Sequence, residues 1–128
     1  MTATLGSQSF DLGTLKRALE ESDAATLEAL YAEDAEMVIV DRSRPPSAPM
    51  RLSGRPAIAA FWRDVCGRDM THKVGHEVLA ADRAALVEEC AYPDGCRVMS
   101  AMTLDLRDAR IVRHLTVQAW DEVSCATA

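Results

Sequence analysis

No stretch of the 128-residue chain approaches the roughly 20 consecutive apolar residues that a membrane span requires. The N-terminal MTATLGSQS also lacks the charged start and apolar core of a signal peptide. The expectation is a cytoplasmic protein with a frayed tail over residues 1–9 and one domain over 10–128, with no membrane partner. Clustered basic residues are missing too. The 14 Lys and Arg are scattered among 20 Asp and Glu, for a formal net charge of −6. Phosphate binding needs grouped cations, so a nucleic-acid partner is excluded. There is no glycine-rich phosphate loop, no nucleophile elbow, no internal repeat and no low-complexity linker, which removes the usual signatures of nucleotide enzymes and serine hydrolases.

Four cysteines are present. Cys90 and Cys96 flank the turn YPDG, but any hairpin loop of two to four residues there sets Cys90 opposite Arg97, Val98 or Met99 rather than Cys96. With no secretory signal, four reduced thiols are expected. His72 and His76 spell H-x-x-x-H, a metal pattern only on a helix. On a strand they stand about 13 Å apart, so neither a metal nor another cofactor is expected.

FDLGTLKRALEESDAATLEALYAED reads as two helices. Leu12, Leu15, Ala18 and Leu19 repeat at helical spacing, ESD interrupts, and Asp23 caps a second helix whose apolar face is Ala24, Leu27, Leu30 and Tyr31. AEMVIVD is a strand, RSRPPSAPMRLSG a loop, and PAIAAFWRDVCG a third helix with Pro56 in its first turn and Gly67 at its end. From Thr71 onward the chain alternates: THKVGHEVLAA, AALVEECAY, CRVMSAMTLDL and RIVRHLTVQAWD are four strands joined by short polar turns, hence antiparallel. Helices followed by a meander mean an α+β protein, with helices on one face of a curled sheet.

This order, together with LEALYAEDAEMVIVD, LSGRPAIAAFWRDV and ARIVRHLTVQAWD, resembles the nuclear transport factor 2-like superfamily and, within it, the SnoaL-like group. The likeness covers nearly the whole chain and rests on the order and spacing of soft motifs. Relatives by fold include ketosteroid isomerase, polyketide cyclases, limonene-epoxide hydrolase and scytalone dehydratase, besides non-catalytic binding and assembly domains, so the fold leaves function open. The resemblance implies a cone-shaped curled antiparallel sheet packed against three N-terminal helices, around a pocket for a small molecule. It also implies that the outer face meets a second subunit in a homodimer.

The resemblance further implies which side chains line the pocket. Leu86, Glu88, Cys90 and Tyr92 face inward on one strand, Val98, Ser100, Met102 and Leu104 on the next, and His114, Thr116, Gln118 and Trp120 on the last. Hydrophobic periodicity alone would instead turn Leu115, Val117 and Ala119 inward, and a one-residue slip decides between the two. Ketosteroid isomerase uses an Asp base with a Tyr and a protonated Asp as donors to the developing oxyanion. Carried over to this chain, the base position holds Ile39, the Tyr position Leu15 and the donor position Met102. That mechanism is therefore absent. Tyr31 and Trp62 match pocket aromatics. SnoaL-like cyclases use a pocket His and a late Asp, for which His114 or His76 and Asp121 stand in position. Glu88 places a carboxylate among apolar neighbours, as a base would require. The expected activity is cofactor-free acid–base chemistry on a hydrophobic or polyketide-like molecule, with His114, Asp121 and Glu88 as candidates; the alternative is a ligand-binding or assembly module.

Overall fold

In a computed structural model of the chain, residues 9–121 are described. The expected tail lies outside them except for Ser9. The first helix, α1 (Leu12–Glu20), begins where the Asp11 carboxylate accepts the Thr14 N–H at 3.0 Å, and it buries Leu15, Ala18 and Leu19. Asp23 caps α2 (Ala24–Ala29) in the same way, taking the Thr26 N–H at 3.1 Å and its hydroxyl at 2.6 Å.

The second helix is shorter than its apolar spacing predicts. Tyr31 opens β1 (Tyr31–Val40) instead of closing a helical face, because the Ile111 N–H donates to the Leu30 carbonyl at 2.9 Å and Tyr31 pairs with Ile111. Sheet pairing here overrides local helical preference. The Pro- and Ser-rich segment, expected as loop throughout, ends in a four-residue edge strand, β2 (Met50–Ser53), antiparallel to β1. Then α3 (Arg55–Cys66) follows, with Pro in its first turn and Gly67 as its C-cap, burying Ile58, Ala59 and Trp62. Gly54, at φ 88°, turns the chain into this helix through a conformation that glycine adopts without strain.

The remaining strands are β3 (Thr71–Leu79), β4 (Arg83–Ala91), β5 (Arg97–Arg107) and β6 (Arg110–Trp120). Among the described residues the sheet has six strands in the order β2-β1-β6-β5-β4-β3. It is curled and mixed rather than wholly antiparallel, since β1 runs parallel to β6. The short-turn argument governs only the meander from β3 to β6, and β1 reaches β6 across most of the chain.

Burial decides the orientation of the last strand. His114 and Thr116 are buried, Gln118 and Trp120 half-buried, while Leu115 and Val117 are 42% and 47% exposed. The inward sets of β4 and β5 alternate as expected from Leu86 to Cys90 and from Val98 to Leu104. Ile111 is buried although it shares the numbering parity of Leu115, because a bulge makes Leu106 pair with Ile111 and Asp105 with Arg113, leaving Val112 as an extra residue.

The main core joins Leu15, Leu19, Leu27, Ile58 and Ile111 between the helices and the sheet. Cys90 pairs across the hairpin with Val98, as the loop geometry requires. Cys66 and Cys90 are free thiols, but Cys96 is disulfide-bonded, which overturns the expectation of four reduced cysteines. The hairpin argument had excluded one pairing only. No helix among the described residues is long and apolar enough to cross a membrane.

Candidate active site

Where the inner face of the sheet meets α3, the fold leaves a cavity of about 370 Å³. Strand register arranges its wall in rows. Met102 and Thr116 are cross-strand neighbours, then Glu88, Ser100 and Gln118, then Cys90, Val98 and Trp120. The middle row is polar from strand to strand, and Phe61, Trp62 and Val65 of α3 face it as an apolar counter-wall. A molecule in this space meets hydrocarbon on one side and a carboxylate, a hydroxyl and an amide on the other.

Glu88 has a partner that sequence reasoning missed. In the antiparallel β3–β4 pair, His72 lies opposite Cys90 and Val74 opposite Glu88. His72 Nδ1 is 2.7 Å from Glu88 Oε2, with both side chains buried at 2% and 5% exposure, and 3.3 Å from Cys90 Sγ. Burial, and then the Glu88 charge, push the Cys90 thiol far above its ordinary range, so it stands as a protonated thiol and not as a nucleophile. His72 had drawn notice only as half of H-x-x-x-H. His76 in fact sits exposed at the bulge between Gly75 and Val78, with φ 54°, so strand geometry does separate the two histidines. The available signal was strand parity combined with the hairpin register.

His114 is held behind the wall. Trp62 Nε1–H donates to the Tyr31 hydroxyl at 3.1 Å, that hydroxyl meets His114 Nδ1 at 2.7 Å, and His114 Nε2 meets Thr116 Oγ1 at 2.6 Å. Burial drives the imidazole down to about 3, so it is neutral and carries one N–H. Since Tyr31 oxygen already accepts from Trp62, its own proton goes to Nδ1; Nε2–H then donates to Thr116. The Thr116 hydroxyl proton is left to point elsewhere, and Thr116 is on the cavity wall. Burial also raises the Tyr31 phenol, opposed in part by the Trp62 bond, so the chain stays uncharged.

Of the residues singled out from sequence, Trp62, Glu88 and Cys90 lie on the cavity wall, as do Ser100, Met102 and Thr116. Gln118 and Trp120 join them nearer the mouth, where Gln118 Oε1 accepts the Trp120 indole N–H at 3.1 Å. Leu15 is packed in the core under α1, and Tyr31 and His114 form the layer behind the wall. Asp121 is exposed at the end of β6, where its Oδ2 accepts the Arg97 N–H at 2.8 Å. His114, Asp121 and Glu88 are therefore not gathered around one point.

The mouth is charged and aromatic. Trp120 stacks on Tyr92 with ring centroids 6.2 Å apart, and the Arg42 guanidinium lies 4.6 Å over the Trp120 ring. Arg68 donates to the Tyr92 hydroxyl at 3.1 Å and to Asp64 at 2.7 Å, while Asp41 holds its own turn through the Ser43 N–H at 2.9 Å and pairs with Arg44 at 3.1 Å.

The family model of the SnoaL-like domain matches residues 14–114. Among solved structures, a nuclear transport factor 2-like protein of unknown function from Mesorhizobium loti superposes with a TM-score of 0.73 at 21% identity, covering 84% of this chain and 87% of that one. A protein described as a ketosteroid isomerase from Kribbella flavida gives 0.70 at 19% identity, over 91% of this chain and 79% of its own. An epoxide hydrolase from M. tuberculosis gives 0.61 at 16% identity, over 86% and 79%. These likenesses speak for the fold. A search of curated protein sequences finds no match.

Proposed function

As this chain belongs to the SnoaL-like domain family, and its cavity carries a buried carboxylate–imidazole pair, we propose that it binds a small hydrophobic or polyketide-like molecule and moves a proton on it with side chains alone. Glu88 takes the proton from an acidic carbon. Glu88 then returns the proton to another atom of the same molecule, while His72, 2.7 Å away, fixes the carboxylate in place. The Thr116 hydroxyl and Gln118 amide hold a ligand oxygen as it gains charge, and Trp62, Phe61 and Met102 hold the apolar body. His114 acts through Thr116, as a positioning residue. The observation that carries this reading is Glu88, a carboxylate with 5% side-chain exposure on the wall of a cavity, facing an imidazole.

A suitable probe is an aryl 1,3-diketone in D₂O, its central C–H followed by proton NMR. The protein should accelerate deuterium exchange above buffer, and Glu88→Gln should slow it by about a hundredfold or more. Equal exchange by wild type and Glu88→Gln would remove Glu88 as the base. Saturable binding of the diketone without any acceleration would favour a binding module.

The outer face supports a homodimer. Met99 pairs with Ala119, Ala101 with Val117 and Thr103 with Leu115 across β5 and β6, giving an apolar strip in which Met99 is 50% exposed. A second copy of the sheet would cover it.

A further inference from the structure

Three chemically different donors meet from two adjacent strands, two of them, Glu88 and Cys90, on the cavity wall. His72 Nδ1, a Glu88 carboxylate oxygen and Cys90 Sγ all lie within 4.8 Å of one another. Within the cluster, the 3.3 Å contact of His72 Nδ1 with Cys90 Sγ has hydrogen-bond geometry. Although Glu88 Oε2 and His72 Nδ1 are 2.7 Å apart, the buried Oε2 receives no well-directed hydrogen bond. Such orphaned polar atoms are costly in a protein interior.

We propose that His72, Glu88 and Cys90 form a site for one divalent cation of the Zn²⁺ type. Charge supports this first: one carboxylate and one thiolate cancel a 2+ ion, so the occupied site is neutral, which a buried position favours. Donor type supports it next, since thiolate and imidazole select borderline-soft ions over Mg²⁺ or Ca²⁺. Geometry agrees. Tetrahedral ligands on zinc stand about 3.3–3.6 Å apart, so the present 2.7 and 3.3 Å separations need only a small opening. Glu88 and Cys90 both face the cavity, leaving the fourth position open to a water or a ligand atom. On binding, the Cys90 thiol proton leaves to solvent and the sulfur becomes a thiolate; His72 Nδ1 presents its lone pair, with the ring proton on Nε2. No electron changes hands.

This inference stands apart from the proton-transfer reading. A Glu88 oxygen bound to a cation is no longer free as a base, so cation and base chemistry are alternative states of one site.

The test is titration of the chelator-treated full chain with Co²⁺, read by absorbance and by pH-stat. One equivalent per chain should produce a sulfur-to-cobalt charge-transfer band in the near ultraviolet with tetrahedral visible bands, release protons, and yield to Zn²⁺. Cys90→Ser should abolish the charge-transfer band. His72→Gln, which keeps the sulfur, should weaken affinity at least about tenfold, and Cys66→Ser should leave everything unchanged. Circular dichroism checks that each variant is folded. No sulfur-to-cobalt band at one equivalent would overturn the proposal, as would a band that survives Cys90→Ser or disappears with Cys66→Ser.

Discussion

His114 Nε2 stands 2.6 Å from Thr116 Oγ1, and its Nδ1 stands 2.7 Å from the Tyr31 hydroxyl, so both imidazole nitrogens are spent inside the protein. The ring meets the cavity through the threonine. A histidine tied in this way titrates against the fold and not against a ligand, which gives a first prediction.

Burial lowers His114 from its ordinary 6.5 to about 3. Between those values the unfolded chain binds a proton that the folded one refuses. Stability is therefore complete above about pH 6.5, falls as pH drops through the window, and levels off near 3. The limit is about 5 kcal/mol for a fully buried ring. Urea unfolding from pH 7 to pH 4 should show this loss in wild type and a much flatter profile in His114→Gln. A wild-type profile that is flat across the window would mean that the imidazole accepts a proton in place.

Tyr31→Phe removes one oxygen and strands two groups, the Trp62 indole N–H and His114 Nδ1. A cost of about 1–3 kcal/mol is expected from each orphaned polar atom. Adding Trp62→Phe should cost less than the sum of the single changes, because the shared bond is already gone. Chemical denaturation of the two single variants and the double variant reads this coupling; additive costs would argue against a connected chain.

Thr116 should respond to chemistry more than to shape. Thr116→Val keeps the volume but leaves His114 Nε2–H without its acceptor, at about 1–3 kcal/mol, whereas Thr116→Ser keeps the hydroxyl and should cost under half of that. Under the proton-transfer reading, Val should also raise the KM and lower the rate of diketone exchange, and Ser should restore both. Equal stability of the two variants would place the Nε2 proton on some other partner.

Leu115 tests the sheet's outer face. At 42% exposure it projects from the side away from the cavity, so Leu115→Arg should fold with a near-native circular dichroism spectrum. If a second copy covers the strip, light scattering should show a dimer in wild type and a monomer in the variant. A wild type that is already monomeric at micromolar concentration would leave the strip without that partner.

Side-chain parity is a local property of an extended backbone, and for that reason the alternation of Leu86, Glu88 and Cys90, or of Ser100 and Met102, could be read from the chain alone. The Asp23 cap was legible for the same reason, since a cap needs only a carboxylate and a free N–H three residues on. The change from helical to alternating spacing carried the α+β class, and the family likeness carried the cone.

What tertiary structure decided is whatever depends on which strand lies beside which. Leu115, Val117 and Ala119 make a better core stripe by composition than His114, Thr116 and Gln118, yet the polar set faces in. The bulge at Val112 resets parity, and Tyr31 and Thr116 satisfy the imidazole once it is buried, with Trp62 bonded to the tyrosine. Tyr31 left its expected helix because a parallel partner, β6, was available from the far end of the chain. The meeting of His72 with Glu88 and Cys90 required the β3–β4 register, in which 18 residues of sequence separation close to 3.3 Å. Local propensity fixes the direction in which a side chain leaves its own backbone; its neighbours are set by the burial and pairing of the whole sheet, which no single stretch of sequence contains.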